Sequence, residues 1–84
     1  MGKNSSLIAQ ILLGRSDNSI AFRDLIHLLL SLGFSERING SHHIFTRQGF
    51  PERITLQADG KHAKGYQVRQ IRQILLKYPE LNNE

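Results

Sequence analysis

The chain has 84 residues, enough for one small domain and too few for a deep substrate cavity, so a substrate would lie across its surface. It has no cysteine, which excludes disulfides and thiolate zinc sites and suits folding in a reducing cytoplasm. The formal charge is +4, nothing resembles a signal peptide, and the longest apolar run, Leu28-Leu29-Leu30, is far too short for a membrane span.

The charge is unevenly placed. Residues 1–36 are neutral, with Lys3, Arg15 and Arg23 against Asp17, Asp24 and Glu36. Residues 37–77 carry Arg37, Arg47, Arg53, Lys61, Lys64, Arg69, Arg72 and Lys77 against Glu52 and Asp59, a net of +6. An excess of that size attracts polyanions, nucleic acid first among them. It serves equally well as a solvated face that keeps the chain in solution.

Residues 1–4 are expected to fray. Ser5 or Ser6 caps a first helix running to about Arg15, with Leu7, Ile8, Ile11 and Leu12 on one face. Gly14 and Ser16-Asp17-Asn18-Ser19 end it in a loop. A second helix runs from about Ala21 to Leu32, with a core stripe of Phe22, Leu25, Ile26, Leu29 and Leu32, and Gly33 stops it. His27 lies off that stripe and takes no role. Three strands follow, Phe34 to Ile38, His42 to Arg47 and Arg53 to Gln57. They are joined by Asn39-Gly40, where both residues tolerate positive φ, and by Gln48-Gly49-Phe50-Pro51. Residues 58–65 read as a polar loop. A last helix runs from about Tyr66 to Tyr78 with Val68, Ile71, Ile74, Leu75 and Tyr78 inward, Gln67 off that stripe, and Pro79 as its end. The order α-α-β-β-β-α is an α+β architecture: a three-stranded antiparallel sheet, one face under helices and the other partly open.

The stretch Gly40-Ser41-His42-His43-Ile44-Phe45 carries the most chemistry. Neighbours on a strand point to opposite faces. If Phe45 takes the core, His43 shares its face and His42 turns to solvent; if Ile44 takes the core, the assignment reverses. An exposed imidazole beside cations can move protons at neutral pH, and RNA brings its own nucleophile, the 2′-hydroxyl. Cations would then stabilise the charge that builds on the phosphoryl oxygens, with no need of a metal or cofactor. On pattern alone the plainer account, two ordinary strand histidines beside a turn, is the better one. Adjacent strand histidines cannot easily share an ion, and no ligand set including His62 has zinc spacing, so no metal site is expected. Lys61 and Lys64 precede a helix N-terminus and could seat a phosphate, or form a solvated loop. Arg69 and Arg72, three apart, could track a nucleic-acid backbone or simply be the helix's polar side. Beyond Tyr66 and Phe50 there is no exposed aromatic platform for stacking single-stranded bases.

Gly40-Ser41-His42-His43-Ile44-Phe45, Ile54-Thr55-Leu56-Gln57 and Ala63-Lys64-Gly65-Tyr66-Gln67-Val68-Arg69-Gln70-Ile71-Arg72 together resemble the HicA family of toxins, from about Phe22 to Tyr78. The resemblance implies a fold like a double-stranded-RNA-binding domain and a toxin of a type II toxin–antitoxin pair. It also implies metal-independent cleavage of mRNA with His42 as the catalytic group, and a HicB-type antitoxin as partner. Gly40, Ser41, His43, Arg47, Lys61, Lys64, Arg69 and Arg72 are the candidate RNA-contacting residues. The expectation is one domain over 1–84, with its core at about 20–78, the helix within 1–15 as an addition to the family pattern, and a cytoplasmic location. A histidine–proline pair often follows the aromatic residue of the second strand in that family. Thr46-Arg47 stand there in this chain, and whether His43 or His62 assists His42 stays open. Two other readings compete: a non-catalytic RNA-binding module, and a protein-interaction domain for an acidic partner.

Overall fold

The computed structural model describes residues 5–83; the expectation that residues 1–4 fray lies outside them. The chain forms helix α1 (Ser5–Leu13), helix α2 (Phe22–Ser31), strands β1 (Ser35–Asn39), β2 (His42–Arg47) and β3 (Phe50–Leu56), two short strands β4 (Ala58–Asp59) and β5 (His62–Ala63), helix α3 (Gly65–Lys77) and a closing 3-10 turn, η1 (Pro79–Asn83). The architecture is α+β, like a double-stranded-RNA-binding domain. The sheet order is β1-β2-β3, antiparallel throughout. α2 packs against β1 and β5, α3 against β3, and α1 against α3.

One apolar core links all these layers. Phe45, Ile54 and Leu56 from the sheet, Leu25, Leu28, Leu29 and Leu32 on and just after α2, and Val68, Ile71, Ile74 and Leu75 from α3 are buried together with Ile8 and Ile11 of α1. The expected stripe on α2 is rotated slightly: Leu28 is buried, and Phe22 and Ile26 are half-buried at its margin. α2 ends in a Schellman motif. The Gly33 N–H donates to Leu30 O and the Phe34 N–H to Leu29 O, at 3.1 and 3.0 Å, with Gly33 at φ 92°.

Four local expectations need correcting. The β1–β2 turn is one residue later than Asn39-Gly40 suggests. Asn39 pairs with His42, so the two-residue loop is Gly40-Ser41, with positive φ at Gly40 alone. Glycine first in the loop is the type II′ pattern, and its twist matches that of the flanking strands. β3 starts at Phe50 rather than Arg53, because Phe45 pairs with Ile54 while Arg47 pairs with Phe50. The surplus residues, Pro51 among them, form a bulge, where a residue with no N–H is tolerated. The polar loop at 58–65 is instead a small hairpin. Asp59 pairs with His62 around Gly60-Lys61, repeating the glycine-first turn. Gln67, read as off the apolar stripe of α3, is buried with 1% exposure, because its Oε1 accepts the Lys64 N–H and caps the helix.

Candidate functional site

The parity of β2 sorts the two histidines. Phe45 is fully buried, so His43 shares the helix-covered face and His42 and Ile44 lie on the open one. His42 is exposed and is the first residue after the tight turn. Asn39 stands opposite it on β1, and continuing the β2–β3 register by one residue sets Gln57 opposite it on the other side. Gln57 Nε2 donates to Ser41 Oγ at 3.1 Å, tying the turn to the end of β3. The next row of the open face is Arg37, Ile44 and Thr55. His42 therefore sits in a solvent-facing polar row with a cation one row away.

His43 is held in place. At 2.6 Å its Nδ1 faces Glu36 Oε2, and because a carboxylate can only accept, Nδ1–H is the donor. Its ring meets the Phe22 ring edge-on, centroids 5.1 Å apart. Both contacts lie on the covered face, away from His42.

The basic candidates divide into two groups. Lys61 is exposed in the β4–β5 turn, Lys64 is half-buried at the start of α3, and Arg69 is exposed one turn into that helix. Arg47 and Arg72 are engaged inside the fold. Arg47 Nη1 donates to Leu32 O at 2.6 Å, its guanidinium lies 4.8 Å from the Phe50 ring centroid, and it rests over Gly33. It thus compensates the negative end of α2. Five strand residues at about 3.3 Å each also place it roughly 17 Å from His42 along β2. Arg72 forms a two-pronged pair with Asp17, its closest approach 2.6 Å and both side chains about 15% exposed. Sequence periodicity had placed it on the polar side of α3. Of the two aromatic candidates, Tyr66 is exposed, whereas Phe50 packs between Phe34 and Tyr78.

Gly40 and Ser41 form the turn itself, and His62 lies in β5 opposite Asp59, joined to Ala21 by an isolated bridge. Reading the sequence missed Asn39 and Gln57 as neighbours of His42, Glu36 as the partner of His43, and Arg23 as a neighbour of Lys61. Strand pairing would have revealed the first two, once the turn was placed at Gly40-Ser41. Among the described residues no group of three or more His, Cys, Asp or Glu stands close enough to hold a metal ion. No helix among them is long and apolar enough to cross a membrane.

A family model described as the HicA toxin of bacterial toxin–antitoxin matches residues 22–77. Those limits coincide with the first residue of α2 and the last of α3, so α1 and η1 fall outside the match. No curated protein and no solved structure matches the chain.

Proposed function

Given that the chain belongs to the HicA toxin family, whose members are the toxins of bacterial toxin–antitoxin pairs, we propose that it is a metal-independent endoribonuclease that cleaves mRNA, with His42 as general acid and base. The observation that carries this reading is the separation of the two histidines: His43 is bound to Glu36 and Phe22, and His42 is left on the open face beside a tight turn. A proton-transfer group must reach the substrate and keep its ring nitrogens free for it.

The chemistry needs little more. The His42 imidazole takes the proton of a 2′-hydroxyl, and that oxygen attacks the adjacent phosphorus in line. The bond to the 5′-oxygen breaks, and that oxygen receives the proton His42 has taken up, passed on through water. The products are a 2′,3′-cyclic phosphate and a 5′-hydroxyl end. The amides of Asn39 and Gln57 flank His42 and supply donors for the phosphoryl oxygens, where negative charge builds. Lys61, Lys64 and Arg69 hold flanking phosphates, and Gly40 and Ser41 let the backbone approach the strand closely. Arg47 and Arg72 serve the fold rather than the RNA, and so does His43. The partner is a HicB-type antitoxin that covers the His42 face, and the toxin works in the cytoplasm, where mRNA is.

The test is induction of the chain in a bacterial host beside its His42→Ala variant, reading growth and RNA integrity. The expected result is growth arrest and fragmented mRNA with the parent chain and neither with His42→Ala, while purified His42→Ala melts like the parent. Equal behaviour of the two would remove His42 from the chemistry and favour an RNA-binding module or a protein-interaction domain.

A further inference from the structure

A cavity of about 450 Å³ lies between the start of α2 and the β4–β5 turn, lined by Ala21, Phe22, Arg23, Gly60 and Lys61. Its walls come from segments some forty residues apart and are pinned together through the backbone. The Phe22 N–H donates to Lys61 O and the Ala63 N–H to Ile20 O, each at 2.9 Å, and Ala21 bridges to His62. The site is therefore built in advance rather than formed around a ligand.

Its chemistry is two-sided. Ala21 and the half-buried Phe22 supply its apolar lining. Arg23 and Lys61, both exposed, supply its cationic lining, and neither side chain takes part in an ion pair among the described residues. Asp24 and Asp59 adjoin lining residues in sequence, but neither lines the cavity. A flat apolar body with an anion attached satisfies both halves of the site. Aromatic rings accept any base face, while a guanidinium and an ammonium bind phosphate. The volume lies within the range of small-ligand sites.

The position connects the cavity to the proposed chemistry. Phe22 meets His43 ring to ring at 5.1 Å, and His43 directly follows His42 in β2. The cavity and His42 thus lie at the same end of β2 but on opposite faces of it, so an RNA strand that reaches both passes around that end. We propose that this cavity is a nucleotide subsite of the RNA, taking one base near the cut on Ala21 and Phe22 and its phosphate on Arg23 and Lys61. The proposal takes its ligand from the reading of the chain as an RNA-cleaving toxin. It adds a place where base identity is sensed, and it gives the β4–β5 hairpin a purpose.

The test separates the two ideas by measuring binding without cleavage. Full-length His42→Ala protein is titrated with a short single-stranded oligoribonucleotide, and with an abasic version of equal charge, following backbone amide resonances. Shifts concentrated at residues 21–23 and 60–61 are expected, with weaker binding of the abasic probe. Lys61→Ala and Arg23→Ala should each weaken binding several-fold and reduce the slope of log affinity against log salt by about 0.7. Ala21→Leu keeps the charge and fills the cavity. Ala21 makes no side-chain cap for α2, so the helix start survives the change. This variant should lose affinity for the base-bearing probe and not for the abasic one. Shifts confined to the open face around residues 39–44, or affinities unchanged in Lys61→Ala and Ala21→Leu, would overturn the subsite while leaving catalysis by His42 intact. If instead the parent chain proves unable to cut RNA, the same titration with the parent decides the subsite independently.

Discussion

Two adjacent histidines have opposite surroundings because a strand turns each residue half a revolution from the last. His43 spends its ring on the fold: one nitrogen donates to Glu36 at 2.6 Å and one edge packs on Phe22. Removing it leaves the Glu36 carboxylate without a partner and opens a gap beside Phe22. His43→Ala should cost about 1–2 kcal/mol, combining an edge-on aromatic contact with a charge-assisted hydrogen bond in a half-exposed setting. His42→Ala, exposed and without such contacts, should stay within about 0.5 kcal/mol of the parent. Chemical denaturation of the two variants side by side checks this, and equal losses would mean that His42 also carries a structural load. The division was partly legible beforehand. Size favours Phe45 over Ile44 for the core, which turns His42 outward, but alternation leaves both choices open and only the burial of Phe45 decides between them. What the linear pattern concealed was the partner of Glu36: strand register sets this carboxylate two residues along from His43's partner Ile38, on the same face.

At the scale of elements, periodic segments were readable and pairings between distant segments were not. α1, α2 and α3 follow their apolar spacing to within two residues at each end, since burying that stripe is what makes each helix form. β4 and β5 were read as loop because two residues each are too few to show alternation, although Asp59-Gly60 carries the same turn signal as Asn39-Gly40. Arg72 reads from the sequence as a backbone-tracking or polar-side residue because its partner, Asp17, is 55 residues earlier in a loop. That pair has a structural consequence. It ties the Gly14–Ile20 connection onto the middle of α3, where Gly14 also lies against the Arg72 guanidinium. α1 lies outside the family match and is held by this pin and by the burial of Ile8 and Ile11. Breaking one partner strands the other, half-buried, so Arg72→Ala should destabilise the chain by about 1–2 kcal/mol. Hydrogen exchange should quicken first in α1 and the 14–20 connection. Asp17→Ala with Arg72→Ala should cost less than the two single losses added together. Additive losses, or exchange that quickens evenly over the molecule, would remove the pin from the account.

On the scale of the whole molecule, charge sets both what the chain attracts and when it fails. The basic excess that would draw RNA also opposes compaction, and it grows as carboxylates are neutralised on acidification. Against that repulsion, Glu52 on β3 holds the far end of α3. It accepts from Lys77 Nζ at 2.7 Å and from the Tyr78 hydroxyl at 2.9 Å. The Lys77 ammonium first, and Tyr78 as well, hold the Glu52 carboxyl below its ordinary 4.5. Burial, then Glu52, pushes the Tyr78 hydroxyl above its ordinary 10.0, so it remains a donor at neutral pH. For a carboxyl whose folded value is depressed, the native state binds fewer protons than the unfolded one. Its stabilisation is complete above the ordinary carboxylate value and is lost as pH falls through the folded value. Thermal midpoints should therefore fall at the acid end of the range from pH 7 to pH 2, and Glu52→Gln should flatten that fall. Lys77 is 60% exposed, so raised salt should shrink the difference between parent and variant there. A Glu52→Gln profile superimposable on that of the parent at low salt would mean that the tie adds nothing, and that repulsion among the cations alone sets the acid limit.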